Sequence, residues 1–228
     1  MVYHNGSPLS LIISENPSVL SLLNRLGIFL GVGNSSVTQS AVAHGINPDF
    51  LLVMINTYLN HDYFPEKELL RFPIKGICDY LIRTNRYYKE VQLPNIDRHF
   101  RHLMGRSSAD STNLDKMYSF FAAMDKKVSD ALERYNAILG EVINNENPYD
   151  ENVRQRLIDF GKEEMHPFEV SLNDLINLFI IHLKGEYDHN LCHAVLIALV
   201  SLYNDSMQNN RIHDLILIPS LSRHSDNA

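Results

Sequence analysis

CDYLIRTNRYYKEVQLP, residues Cys78–Pro94, decides how the chain is read, together with NNRIHDLILIP at Asn209–Pro219. Ile74, Ile77, Cys78, Leu81 and Ile82 fall on one stripe at the three- and four-residue spacing of a helix. Pro73 suits the first turn of such a helix, where its missing N–H has no intrahelical partner to lose. The spacing predicts one long helix from Pro73 to about Met104. The second stretch predicts the end of another long helix, stopped by Pro219.

Working outward, GRSSADST at Gly105–Thr112 reads as a loop, with Thr112 or Asn113 capping a second long helix from Leu114 to about Asn144. Met117, Phe120, Phe121, Met124, Val128, Leu132 and Tyr135 are expected on its inner face. NNENPYDEN is the next loop. A third helix is expected from about Tyr149 to His182, kinked or split by Pro167. Gly185 ends it, and a fourth helix is expected from Tyr187 to about Leu217. The tail is 220–228, and its SRHSDNA stretch is expected to be disordered. Four long helices with short loops predict an all-α protein, an up-down-up-down four-helix bundle over residues 73–219.

Residues 1–60 read as a small attached module. Pro8 and Gly6 predict an extended arm over 1–13. Asn16–Pro17, Ser35–Ser36 and Asn47–Pro48 each look like helix starts, so three short helices follow, ending near Leu26, His44 and Leu59. Residues 61–72, polar and carrying Pro65, read as a linker.

Composition bounds the function. The chain has 228 residues and is 45% hydrophobic, enough for a sizeable core in one domain with an appendage. A net charge of −7 argues against a broad phosphate-binding surface. RHFRHLMGR at Arg98–Arg106 gathers positive charge locally, which a solvated helix end also explains. Two cysteines, Cys78 and Cys192, on helix-like faces point to a cytoplasmic chain without disulfides. No apolar run approaches the ~18 residues of a membrane-spanning helix, so no membrane partner is expected.

These stretches resemble the first and last core helices of a hemerythrin-like bundle. The likeness is to the di-iron proteins that repair iron–sulfur clusters in bacterial stress responses. LNRLGIFLGVGNSSVTQSAVAHGINPDFLL resembles their N-terminal domain around Gly27–Ile28, Gly31, Gly33 and Gly45–Ile46. That domain has a cysteine pair where Phe29, Leu30 and Val32 stand here. In the first bundle helix the family has a His after a basic-Thr pair; here Asn85 follows Arg83–Thr84. Aligning the second helix on Ile138–Val142 puts Asp130 and Arg134 where the family has His and Glu. In the third, FEVSLNDLINLFIIHL keeps the apolar frame and the His position falls on Met165, beside His166. In the fourth, Asn209 and His213 occupy the His and Glu positions before LILIP.

The resemblance thus implies the family's fold with a degenerate metal site at Asn85, Asp130, Arg134, Met165, Asn209 and His213. Arg134 carries a permanent positive charge where the family places a ligand carboxylate. It is expected to pair with Asp130 one turn earlier, giving a pseudo-site stapled with Asn85, Asn209 and His213. The alternative is a rearranged iron site using Asp130, His166 and His213 with Glu163 or Glu169.

Other groupings of polar residues each have a plainer explanation as well. His189, Cys192 and His193 have a chelating spacing, yet also suit a helix surface. Glu163, Glu164 and His166 suit half a carboxylate–histidine site or a solvated face. Tyr80, Tyr87 and Tyr88 are expected at the core rim. GVGNSS lacks the Lys of a phosphate loop. Ala41 to Gly45 followed by a helix has a helix-turn-helix rhythm, but Asp49, Phe50, Leu52 and Asn56 are poor base readers. The expectation is a non-catalytic or regulatory relative without cofactor, acting on a partner protein or an iron-competent paralogue, with homodimerisation open to it. A transcriptional regulator using Arg83, Arg86, Lys89, Arg98 and Arg101 against DNA is the remaining alternative.

Overall fold

The computed structural model describes residues 2–65, 72–107, 113–145, 147 and 149–222. Every regular element among them is helical, so the protein is all-α. Four short helices come first: α1 (Leu9–Glu15), α2 (Val19–Arg25), α3 (Val37–Ala43) and α4 (Pro48–Leu59). Four long ones follow. α5 joins Ile74–Tyr87 to Leu93–Gly105, and α6 is Leu114–Asn144. α7 joins Glu151–Phe160 to His166–His182, and α8 joins His189–Ile212 to Ile218–Leu221.

The expected arm over 1–13 is helical from Leu9 onward. Pro8 precedes that helix as its N-cap, in extended backbone with φ −62° and ψ 127°, rather than interrupting it. Leu9 and Ile12 are fully buried, which gives so short a helix its tertiary support. α3 starts with a capping box, Ser36 accepting from the Gln39 amide while Gln39 reaches back to the Ser36 amide. Asn47 accepts from the amides of Asp49 and Phe50, and Pro48 occupies the first turn of α4.

Each joined helix passes through a π turn: Tyr88–Gln92 in α5, Gly161–Met165 in α7 and His213–Leu217 in α8. At the end of each, an amide bonds five residues back: Leu93 to Tyr88, His166 to Gly161, Ile218 to His213. The residue after each of those amides is a proline: Pro94, Pro167 and Pro219. A proline inside an α-helix removes a hydrogen bond and presses its ring on the carbonyl four residues earlier. The π turn inserts one residue and moves that carbonyl aside, so the helix continues. Pro167 therefore does not split α7, and α8 runs past Pro219 to Leu221. The tail 223–228, most of the loop at 108–112, positions 146 and 148, and linker positions 66–71 lie outside the described residues.

Contacts group the chain into two compact units, a partition different from the expected segments 1–60 and 73–219. One comprises Met1–Arg83, Ile138–Ile158 and Gln208–Ala228; the other comprises Thr84–Ala137 and Asp159–Met207. In the first, Leu9, Ile12, Leu22, Leu23, Leu51 and Met54 are fully buried. The second has a core drawn from four helical segments. Leu93, Ile96, Phe100 and Leu103 come from α5, and Met117, Phe121, Met124 and Val128 from α6. Phe168, Leu172, Leu175 and Phe179 come from α7, and Val195, Leu199 and Leu202 from α8. Phe100 is central, with ring centroids of Tyr118, Phe121 and Phe179 at 5.5, 5.8 and 5.3 Å. Each such side chain contributes about 1.5–3 kcal/mol by leaving water. Of the α6 face, Phe120 is the exception at 37% exposed.

Candidate degenerate metal site

Four of the six singled-out positions, Asn85, Asp130, Arg134 and Met165, lie in the second unit, and Asn209 and His213 in the first. Asn85 is buried, and its amide nitrogen donates to Asn136 Oδ1 at 2.7 Å. Asp130 is exposed on α6. Arg134 does not pair with it. Its Nη2 donates to Glu164 Oε1 at 2.6 Å, while Lys127 Nζ stands 3.8 Å from the other oxygen. Glu164 has a side chain only 22% exposed. A carboxylate already partly out of water gains more from a cation than the exposed Asp130 would. Met165 closes the π turn of α7, half-buried.

In the first unit, the Tyr80 hydroxyl donates to Asn209 Oδ1 at 2.7 Å within the buried interior. His213 is 1% exposed and opens the π turn of α8. Its Nδ1 lies 2.9 Å from Asp214 Oδ1. A carboxylate only accepts, so the imidazole proton on this side sits on Nδ1.

Asn85, Arg134, Met165 and Asn209 offer no imidazole or carboxylate, and Arg134 adds a fixed charge. This donor set does not fit a di-iron centre. For the rearranged alternative, Asp130 and His166 are exposed side chains of the second unit, whereas His213 is buried in the first. Among the described residues, no group of three or more His, Cys, Asp or Glu is placed to hold a metal. Glu163 is exposed and Glu169 half-buried.

In the His189, Cys192 and His193 grouping, Cys192 is buried, and burial pushes its thiol pKa up, away from the thiolate that ligates. The His189 ring packs edge-on against Tyr187, centroids 4.9 Å apart. Tyr80 and Tyr88 are buried; Tyr87 accepts from Gln92 at 3.3 Å.

The basic set is largely engaged. Arg86, Lys89 and Arg101 face Glu90, Glu133 and Asp97, Arg98 donates to Asn95, and Arg83 to the carbonyl of Arg25. Helix α4 is buried from Val53 through Tyr58, so it presents no groove-reading face there. Asn136 and the partners of Tyr80 and Glu164 were missed in the sequence. Their partners depend on how each helix is rotated about its axis, which residue type alone does not reveal. Comparison with family models, with curated proteins and with solved structures finds no match.

Proposed function

We propose that this protein is a non-catalytic, regulatory relative of the hemerythrin-like iron–sulfur repair and sensing proteins, working in the cytoplasm by binding a partner protein. In this reading the long helices form that family's up-down-up-down bundle, and the former ligand positions have become structural polar contacts. The observation that carries the binding role is the pair Phe29–Leu30. They are 66% and 70% exposed, side by side at the turn where the resembled family has cysteines. Flanking Gly27, Gly31 and Gly33 have φ of 85°, 99° and 59°, left-handed values that side-chain-bearing residues rarely adopt. The loop is thus shaped to hold two large apolar side chains in water, where single exposed residues would be unremarkable.

The test has two parts. Protein produced with added iron and purified without oxygen should carry far less than one metal ion per chain; a stoichiometric pair of irons would overturn the degenerate-site reading. A photoreactive phenylalanine analogue at position 29 should give a discrete cross-linked protein in source-cell extract, and diffuse labelling would overturn the partner reading.

A further inference from the structure

We infer that the second unit self-associates through the outer faces of α7 and α8. The contact is two-fold and sets Asp174 of each copy against Lys184 of the other. Val170, Ile180 and Ile181 on α7 and Ile197 on α8 are each between 58% and 66% exposed. Val170, Asp174 and Ile181 stand four and then seven residues apart, so they share one stripe along α7. A connection as short as 183–188 makes α7 and α8 antiparallel neighbours, and both supply side chains to the same core. Charged residues make up 21% of the chain, yet 170–183 contains only Asp174 and 189–204 contains none. A helix face that meets only water normally carries charge, whereas the cores of interfaces are depleted of it.

Charge and area select a second copy as the occupant. Asp174 and Lys184 are opposite in sign and exposed, and among the described residues neither side chain has a hydrogen bond or ion pair. In an isologous contact, residue i of one copy meets residue j of the other, and j meets i. Two antiparallel α7 helices related by a two-fold near Phe179, midway between the charges, form that ion pair twice. The same axis passes within one turn of both copies of Ile181. A partner of strong net charge finds nothing to pair with here, and a net charge of −7 is repelled by an anionic bilayer. Over His166–His182, two helices about 10 Å across and about 25 Å long present roughly 500 Å² per copy. The pair then buries about 1,000 Å², the lower bound for a specific contact, which fits a weak dimer. Phe29 and Leu30 lie in the other unit, so either surface can be removed without the other.

The test is sedimentation equilibrium of the full chain from about 10 μM to about 1 mM, the range in which so small an interface dissociates. A reversible monomer–dimer equilibrium is expected. Asp174→Lys and Lys184→Asp, each alone, bring like charges together at both pairs and should weaken the dimer about tenfold or more. Mixed in equal amounts, the two variants regain both ion pairs and should return to within about threefold of the parental affinity. Ile181→Ser should keep the parental circular dichroism and thermal midpoint, because the side chain is exposed, yet dimerise about tenfold more weakly. Phe29→Ser/Leu30→Ser should dimerise as the parent does. A chain that stays monomeric at about 1 mM, a mixture no tighter than its components, or a dimer lost in Phe29→Ser/Leu30→Ser overturns the proposal. A monomer that instead sediments with phosphatidylcholine vesicles assigns the face to lipid and overturns it as well.

Discussion

Tyr80 on α5 donates its hydroxyl hydrogen bond to Asn209 on α8 at 2.7 Å, a buried contact spanning 129 residues of sequence. Tyr80→Phe keeps the ring and removes the donor from a buried carbonyl oxygen. The expected cost is about 1–2 kcal/mol, read from urea unfolding. A double-mutant cycle with Asn209→Ala should show coupling of at least ~0.5 kcal/mol. Additive effects would mean that Asn209 is held by other groups and that the pair is incidental.

Arg211 closes the C-terminal end of α4. Its guanidinium donates to the carbonyls of Thr57, Asn60 and Tyr63 at 3.4, 3.1 and 3.0 Å. The last carbonyls of a helix lack intrahelical donors, and a cation there also meets the negative end of the helix dipole. Arg211→Ala should cost about 1–3 kcal/mol and speed amide exchange over residues 57–63. Arg211→Lys should recover less than half of the loss, because one ammonium cannot reproduce the fork. Full recovery by lysine would reduce the role to charge alone.

Burial, with a smaller contribution from the neighbouring Asp79 charge, pushes the Cys78 thiol from the usual 9.0 up to about 12. The folded state therefore holds this proton over a range in which the unfolded chain releases it. The stabilisation is complete below the unfolded value and is lost as pH rises from about 9 toward 12. Between pH 8 and pH 10 the parent should lose about 1 kcal/mol more stability than Cys78→Ala, measured by urea unfolding at both values. Identical slopes would show that Cys78 does not set the alkaline limit. At pH 8, native Cys78 should also resist thiol reagents that label the unfolded chain.

Pro167 follows directly on the amide that bonds five residues back to Gly161. If the π turn has relieved the proline's clash, little strain remains for a substitution to release. Pro167→Ala should then stabilise by less than ~1 kcal/mol, against the ~3 kcal/mol difference expected of these residues in a plain α-helix interior. A gain near the larger figure would show that the turn does not accommodate the ring.

Helix α6 was legible at both ends, Leu114–Asn144, because an uninterrupted apolar stripe runs between a capping signal and a polar loop. The prolines were harder. Pro8, Pro167 and Pro219 all read as breakers, yet one precedes a helix and two follow π turns. What a proline does depends on hydrogen bonds upstream of it, and those are tertiary decisions. The site shows the same division. That Asn85, Arg134, Met165 and Asn209 offer no imidazole or carboxylate could be read directly, whereas the Arg134–Glu164 pair required knowing which face of α6 meets α7. Residue type limits what a position can bind; packing chooses its partner.

Phe29 and Leu30 give the last prediction, because packing and binding make opposite demands on them. If the pair contributes to the core, replacing both by serine should destabilise the protein by several kcal/mol. At 66% and 70% exposure they bury little, so Phe29→Ser/Leu30→Ser should stay within about ±0.5 kcal/mol of the parent. The same variant should elute earlier from a hydrophobic-interaction column. With the photoreactive group moved to the neighbouring Val32, partner cross-linking by the double variant should fall about tenfold, as the loss of two large contacts implies. Gly31→Ala offers a conformational check, since its φ of 99° is strained for any residue with a Cβ. It should weaken cross-linking while leaving both apolar side chains present. A double serine variant that unfolds would return the pair to the core, and one that cross-links at the parent level would remove it from the binding surface.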